Sequence, residues 1–191
     1  IRGTRSEVQA ADDWILGILA EYALKRFLKE KFNIRIDLDE EVHPGDITPQ
    51  DIVGIYKNGI RKIPKKRIGV KGSKMKSGFL VLAQNEFERE DRHSDIHVFA
   101  RVGLPTDHLF RILRSHSFFK NVTDWLEPKD DFKKIGILEN VPVWITGYVG
   151  AENMDKVTEI PGQPFDGYRY VKSVSKLKNS DDDWRKLIDM L

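Results

Sequence analysis

An aspartate and a lysine in two neighbouring segments carry the clearest chemical signal in this sequence. Asp51 opens a segment rich in β-branched residues, and Lys71 lies in a second segment of the same kind. Both segments are predicted to be β-strands. A carboxylate beside an ammonium group suits metal-assisted phosphodiester hydrolysis, because the carboxylate binds a divalent cation while the ammonium places the attacking water or offsets charge on the phosphate. The structural alternative is a strand cap at Asp51 and a solvated lysine at position 71.

A β-hairpin is the element that we expect to bring these two residues together. The first segment ends in Asn58-Gly59, a dipeptide that favours the positive φ angles of a two-residue hairpin turn. We therefore predict that the strand after Asp51 is joined by this turn and a short basic connection to the strand 67–73, which contains Lys71.

Basic residues are concentrated in the same region. Residues 57–76 contain nine lysines and arginines and no acid, whereas the rest of the chain has 23 basic residues against 30 acidic ones. The overall charge of +2 is therefore the sum of a strongly positive segment and a net negative remainder of the chain. Such a patch favours a directed contact with a polyanion. The alternative is a solvated hairpin that its lysines keep soluble, as happens at edge strands.

The elements that position these residues follow from apolar periodicity. A long helix is predicted from about Thr4 to Lys31, with a capping box formed by Thr4 and Glu7. Glu21 lies at the edge of its apolar face, where the spacing favours an exposed flank. The predicted buried face consists of Val8, Ala11, Ile15, Ile18, Leu19, Tyr22 and Phe27.

Further elements complete an α/β pattern. Strands are predicted at 79–83, 95–102, 141–149 and 168–173, helices at 108–114 and after a cap at Asp181 or Asp182, and irregular chain at 86–92 and through most of 162–178. This order implies a central mixed β-sheet flanked by α-helices. No internal repeat, low-complexity tract or linker is evident, so we predict a single domain over residues 1–191.

Missing motifs exclude several functional classes. Cysteine is absent, which excludes disulfides, thiolate zinc sites and cysteine nucleophiles. His93 and His97 have helical metal spacing, but the segment around His97 is predicted to be a strand, so we expect no zinc site. No phosphate-binding glycine loop appears, and we expect no nucleotide cofactor. No apolar run approaches the roughly 20 residues of a membrane span, so we expect a cytoplasmic protein without a membrane partner. The first residue is Ile, and we expect a few residues to precede it.

These motifs resemble those of the restriction-endonuclease-like, or PD-(D/E)XK, nucleases, and among them the type II restriction endonucleases. The resemblance runs from the first helix to the strand near Tyr148. It rests on Glu21 in the opening helix, Asp51 at a strand start, the Val70-Lys71-Gly-Ser phrase, the Asn85-Glu86 pair and the Asp95-Ile-His-Val-Phe strand.

The resemblance implies a restriction-endonuclease-like fold and Mg²⁺-dependent, site-specific cleavage of double-stranded DNA by a homodimer, with each subunit cutting one strand. Asp51 would bind the cation, the carbonyl of Val70 would be a further ligand, and Lys71 would orient or activate the water. Mg²⁺ suits such a site because it keeps several waters and takes few protein carboxylates. DNA contacts are expected from Asn58, Arg61, Lys65, Lys66, Arg67, Lys74 and Lys76. Base reading is open to Asn58, Arg61, Gln84 and Arg92.

The chain departs from the family pattern at Gly69. The family's second acid precedes the lysine by two residues, and a glycine has no side chain with which to bind a cation. Glu21 is the first candidate to replace that acid and Glu86 is the second; otherwise the site binds metal weakly or has lost activity. Asp46 competes with Asp51 for the main role, and we favour Asp51 because it directly enters a strand.

Two alternatives to a site-specific endonuclease stay open. One is a structure-selective repair, recombination or Holliday-junction nuclease of the same fold. The other is a noncatalytic DNA- or RNA-binding protein in which Gly69 records a dismantled centre. Convergence of Asp51, Lys71 and a further carboxylate around room for a cation favours the two nucleases.

Overall fold

A computed structural model of the protein describes residues 7–41, 50–109, 111, 138 and 140–191. The chain divides into two compact units, residues 1–102 with 143–191, and residues 103–142. The single domain over residues 1–191 stays a prediction. The predicted Thr4–Glu7 capping box, Asp46 and most of the helix predicted at 108–114 lie outside the described ranges.

The first unit contains mixed α and β structure. Its elements in chain order are α1 (Glu7–Phe32), β1 (Arg35–Leu38), β2 (Ile52–Lys57), β3 (Ile60–Lys62), β4 (Ile68–Lys74), β5 (Phe79–Ala83), α2 (Gln84–Glu88), β6 (Ile96–Val102), β7 (Val143–Gly150), β8 (Asp155–Ile160), β9 (Gln163–Ser173) and α3 (Asp181–Met190). Single turns of 3₁₀ helix follow β7 and β9. Within the described ranges, no helix is long and apolar enough to cross a membrane.

Three small sheets organise these strands. The first has the order β1-β2-β3 and is antiparallel. The second has the order β4-β6-β7, with β4 parallel and β7 antiparallel to the central β6. The third has the order β5-β9-β8 and is antiparallel. The second sheet is mixed and β6 is central and almost entirely buried, as the apolar character of that strand predicted.

The predicted hairpin exists, but its second strand was assigned wrongly. Asn58 and Gly59 have φ angles of 53° and 78°, which is the geometry of a two-residue turn with a mirror-image twist. The turn leads into β3, which pairs with β2 through Tyr56 opposite Arg61. Because β3 fills the place beside β2, the strand that carries Lys71 pairs with β6 instead, with Lys71 opposite Phe99.

Helix α1 packs its buried side against β4, β6 and β7. The fully buried residues of that side recur every four positions and are Leu16, Ala20, Leu24 and Leu28. The predicted face was partly wrong, since Ile18 and Tyr22 are exposed. Gly72 of β4 allows α1 to pack this closely, because a Cβ at this position would clash with the carbonyl oxygen of Leu16. The closest approach of helix and strand is therefore at small residues.

The end of the unit differs in detail from the prediction. Ser180, rather than Asp181 or Asp182, caps α3, and its capping box is completed by Asp183. The apolar residues Trp184, Leu187 and Ile188 of this helix are buried. The stretch predicted to be mostly irregular forms the long strand β9, and residues 84–88 form a short helix rather than a loop.

The second unit is described at 103–109, 111, 138 and 140–142. Within it, the N–H of Gly103 donates to the carbonyl of Pro142 at 2.8 Å. Residues 108, 109 and 111 are helical, in agreement with the start of the predicted helix. Arg111 forms an ion pair with Asp107 four residues earlier, at 2.8 Å.

Candidate active site

Asp51 is held at the point where β1, β2 and β4 meet. Its backbone N–H donates to the carbonyl of Ile68 at 2.8 Å, and its own carbonyl accepts from the N–H of Asp39 at 2.9 Å. Its side-chain Oδ2 accepts from the N–H of Val70 at 2.5 Å. Because a hydrogen bond to a charged acceptor is short and strong, the edge of β4 fixes the orientation of the carboxylate.

The carbonyl of Val70 lies on the same edge of β4 as Asp51. In an extended strand the N–H and C=O of one residue point to the same side, and the N–H of Val70 is directed at Asp51. The opposite edge of β4 is paired with β6. The predicted combination of a carboxylate from Asp51 and a backbone oxygen from Val70 is therefore compatible with this geometry.

Lys71 points to the other face of β4 from Val70, as the alternation of a strand requires. Its Nζ lies 2.5 Å from Oε1 of Glu86, whose side chain is 17% exposed. Glu86 is in the first turn of α2, directly after β5. Glu86 was predicted to be the second candidate for the missing acid, and it instead pairs with the ammonium of Lys71.

Helix α2 is anchored by the two residues that follow Glu86. The ring of Phe87 stacks on Tyr170 of β9, with centroids 3.8 Å apart. The carboxylate of Glu88 accepts from the hydroxyl of Tyr170 at 2.6 Å and from Lys156 at 2.9 Å. These contacts hold a helix of only five residues in place and so keep Glu86 beside Lys71.

Glu21 of α1 lines the same cleft as Asp51 and Lys71. Its pKa is raised from 4.5 to about 8, mainly because burial disfavours the charged form and then because Asp51 and Asp39 are nearby negative charges. The expectation from spacing, an exposed flank, is wrong, because Glu21 follows Ala20, at the place where α1 closely approaches Gly72 of β4.

The cleft has a volume of about 610 Å³ and an excess of acids. Its charged lining residues are Asp13, Glu21, Asp39, Glu40, Glu41, Asp51 and Glu86 against Lys71 and Arg92. The pKa of Asp51 is raised to about 6, because burial outweighs the opposing effects of the Val70 N–H and the Lys71 ammonium. Such a concentration of carboxylates favours a cation. The acidic run 37–41 was the signal in the sequence for the β1 side of this cleft.

The position of the missing acid is filled by two residues that sequence reasoning did not connect with it. A Cβ at Gly69 would lie 2.6 Å from Oγ of Ser94 and 3.5 Å from Nδ1 of His97. His97 is only 6% exposed, and burial lowers its pKa to about 4, so its ring is neutral near pH 7. Its Nε2 has no hydrogen-bond partner among the described residues. The sequence shows His97 in a mostly apolar strand, but nothing local in it places His97 or Ser94 beside Gly69.

The candidate metal ligands of the cleft do not form a complete coordination site. Among the residues that the structure describes, no three histidine, aspartate or glutamate side chains stand close enough to hold a metal ion. Asp51 and Glu21 are coupled electrostatically, whereas an oxygen of Glu86 is engaged by Lys71. A cation would therefore have to draw Glu21 and Asp51 together.

The predicted DNA-binding residues fall into two groups. Arg61 and Arg67 have structural partners, since Arg61 binds Asp37 at 2.8 Å and Arg67 donates to the carbonyl of Glu90 at 3.0 Å. Asn58 is exposed at the hairpin turn. The exposed residues without an ion pair in the described part of the chain are Lys65, Lys66, Lys74 and Lys76. Of the other base-reading candidates, Gln84 donates to Glu88 and Arg92 lines the cleft.

No protein-family model, no curated protein and no solved structure matches the chain. The functional assignment therefore rests on the geometry of the cleft and on the resemblance of its motifs.

We expect Glu21→Gln to stabilise the metal-free protein at high pH. A carboxyl with a folded-state pKa raised from 4.5 to about 8 contributes stability that is complete below pH 4.5 and is lost as the pH rises through 8. At pH 9 the wild-type side chain is charged beside Asp51 and Asp39, whereas glutamine is neutral. The melting temperature at pH 9 should rise by roughly 3 °C or more, and this gain should disappear toward pH 4.

The measurement is thermal unfolding in the presence of a chelator between pH 4 and 9. Glu159→Gln is the matched control, since Glu159 is exposed on β8, and it should leave the pH profile unchanged. An identical pH profile for wild type and Glu21→Gln would show that Glu21 is not buried beside other carboxylates.

Proposed function

We propose that this protein is a Mg²⁺-dependent endodeoxyribonuclease of the restriction-endonuclease-like fold, acting on double-stranded DNA as a type II restriction enzyme. The observation that carries the proposal is the convergence of Asp51, Lys71, Glu21 and Glu86 on one acidic cleft. The resemblance of the motifs supplies the reaction class. The homodimer belongs to the proposal because each subunit would cut one strand.

Asp51 and Val70 are the proposed centre of the cation site. The carboxylate of Asp51 is oriented by the N–H of Val70, and the carbonyl of Val70 lies on the same strand edge. When bound, Mg²⁺ would polarise the phosphate and lower the pKa of a coordinated water. The chain's own contribution is to hold the two oxygens in a fixed relation before the substrate arrives.

We assign the role of the missing acid to Glu21. After burial, the charge of Asp51 is the largest cause of the raised pKa of Glu21. The carboxyl groups of Glu21 and Asp51 therefore share one region of the cleft. In the metal-free state one proton relieves their repulsion, and a cation would replace that proton. Glu86 is less suited as a ligand because its oxygen already accepts from Lys71.

Lys71 then acts on the water and the phosphate, with Glu86 as a positioning residue. The ion pair holds the ammonium of Lys71 beside Glu86 in the lining of the cleft. A charged amine there orients the attacking water and offsets negative charge that develops on the phosphate. Exposed lysines at 65, 66, 74 and 76 would bind flanking phosphates.

One observation favours the noncatalytic alternative and must be tested with it. Ser94 and His97 fill the space beside Gly69, so the position of the family's acid is closed rather than merely empty. A DNA-binding protein that has lost its chemistry would tolerate this arrangement. A structure-selective nuclease would keep the same cleft and differ in the DNA that it cuts.

We expect the purified chain to cut plasmid and phage DNA with Mg²⁺ and not with a chelator. Asp51→Asn removes a cation ligand and Lys71→Ala removes a charge that acts on the transition state. Each substitution should therefore reduce cleavage by about 100-fold or more, while DNA binding stays within a few-fold. Lys31→Ala is the matched control, because Lys31 also pairs with a carboxylate, that of Asp181, but lies outside the cleft.

Discrete fragments from linear DNA would support site-specific cleavage, whereas activity limited to branched DNA would favour the structure-selective nuclease. DNA binding without any Mg²⁺-dependent cutting would assign the chain to the noncatalytic alternative. Equal cutting by wild type, Asp51→Asn and Lys71→Ala would remove both residues from the mechanism.

Substitution of Glu21 and substitution of Glu86 should have different effects on the Mg²⁺ dependence of cleavage. Glu21→Gln should raise the Mg²⁺ concentration needed for half-maximal cleavage by about tenfold, since a ligand is lost, with partial recovery at high Mg²⁺. Glu86→Gln should lower the maximal rate and leave the Mg²⁺ dependence unchanged, because it loosens Lys71. Mg²⁺ titrations of single-turnover cleavage separate these effects, and the reverse pattern would exchange the two roles.

A further inference from the structure

Two isoleucines project from the basic hairpin β2–β3 into solvent. Ile60, the first residue of β3, is 64% exposed, and Ile63, just after β3, is 74% exposed. Burial of one such side chain is favourable by roughly 1.5–3 kcal/mol, so a partner surface that covered both isoleucines would be stabilised by their burial. The next residue, Pro64, is buried and fixes the point from which Ile63 projects.

The hairpin that carries these isoleucines is held firmly at its base. The guanidinium of Arg61 binds Asp37 of β1 at 2.8 Å and donates to the carbonyl of Val53 at 3.1 Å. It lies directly over Gly54, where a Cβ would be 2.8 Å from the guanidinium nitrogens. Arg61 thus spans all three strands of the first sheet, and Ile60 and Lys62 point to the opposite face of β3.

Lysines surround the isoleucines. Within the described part of the chain, Lys57, Lys62, Lys65 and Lys66 form no ion pair, and residues 57–76 contain no acid. Two copies of β3 placed edge to edge would bring these positive charges together, which opposes pairing with a second copy. Charge complementarity therefore selects a polyanion as the partner.

We propose that the β2–β3 hairpin is a DNA-bending arm in which Ile63 and Ile60 wedge between base pairs while the surrounding lysines bind the flanking phosphates. β-ribbons bind in the major or the minor groove of DNA. Apolar side chains on basic segments unstack base steps and bend the duplex by about 20–90°. This inference rests on the proposed function, since it takes the substrate to be duplex DNA.

The test measures bending and binding separately. Duplexes of 30 base pairs labelled at both ends report the bend by energy transfer, and a titration of the same duplex reports affinity, with Ca²⁺ in place of Mg²⁺ to slow any cleavage. Wild type should shorten the end-to-end distance. Ile63→Ser should return the energy transfer to the value of free DNA, with an affinity loss of roughly three- to tenfold.

Two variants serve as controls. Lys65→Ala should keep the bend and reduce the slope of log affinity against log salt by about 1. Met190→Ala removes an exposed apolar side chain of α3 and should change neither quantity. Because Ile63 is so exposed, its replacement should leave the melting temperature unchanged, which excludes misfolding as the cause.

Two results would overturn the proposed wedge and leave the proposed nuclease intact. In one, wild type binds DNA without bending it; in the other, Ile63→Ser bends DNA as much as wild type does. Binding of the protein to phosphatidylserine vesicles, without any bending of DNA, would assign these side chains to a membrane surface and would also overturn the proposed wedge. No binding of duplex DNA by wild type would remove both proposals together.

Discussion

The hydrogen bond from the N–H of Val70 to the carboxylate of Asp51 is the constraint on which the site depends. It closes the free edge of β4 and, with the bond from Asp51 N–H to Ile68, links the first sheet to the second. A hydrogen bond to a charged acceptor contributes about 1.5–3 kcal/mol, and it also leaves the carboxylate with one orientation. The same contact sets a side-chain oxygen and a backbone oxygen on one side of the strand, so stability and the proposed chemistry have a common origin.

The charges of the cleft show a site whose carboxylates are not balanced by the chain's own cations. Lys71 forms an ion pair with Glu86, and burial raises the pKa of both Asp51 and Glu21. Protons relieve this repulsion in the metal-free protein. A divalent cation would relieve it more effectively, because it interacts with both groups at once and leaves them ionised. The electrostatic strain in the cleft is thus the physical reason for proposing a metal there.

The neighbourhood of Asp51 and Lys71 was predictable from the sequence, although the predicted route was wrong. Asn58-Gly59 specified a hairpin, but local turn chemistry cannot say which strand completes it, and β3 takes the place given to β4. Glu21 was predicted to be exposed at the edge of the apolar face of α1, because apolar periodicity does not show that α1 closely approaches β4 at Gly72. Ser94 and His97 beside Gly69 depend on contacts between strands distant in sequence, and no local pattern encodes them.

A crystal of the protein soaked in Mn²⁺ tests the central claim most directly, because anomalous scattering locates the ion without reference to activity. The account predicts a peak about 2.0–2.2 Å from the Asp51 carboxylate, the distance that octahedral cations of this size adopt, with the Val70 carbonyl in the same shell and Glu21 drawn toward it. A peak elsewhere, or an occupied cleft in which the ion ignores Asp51, would contradict it.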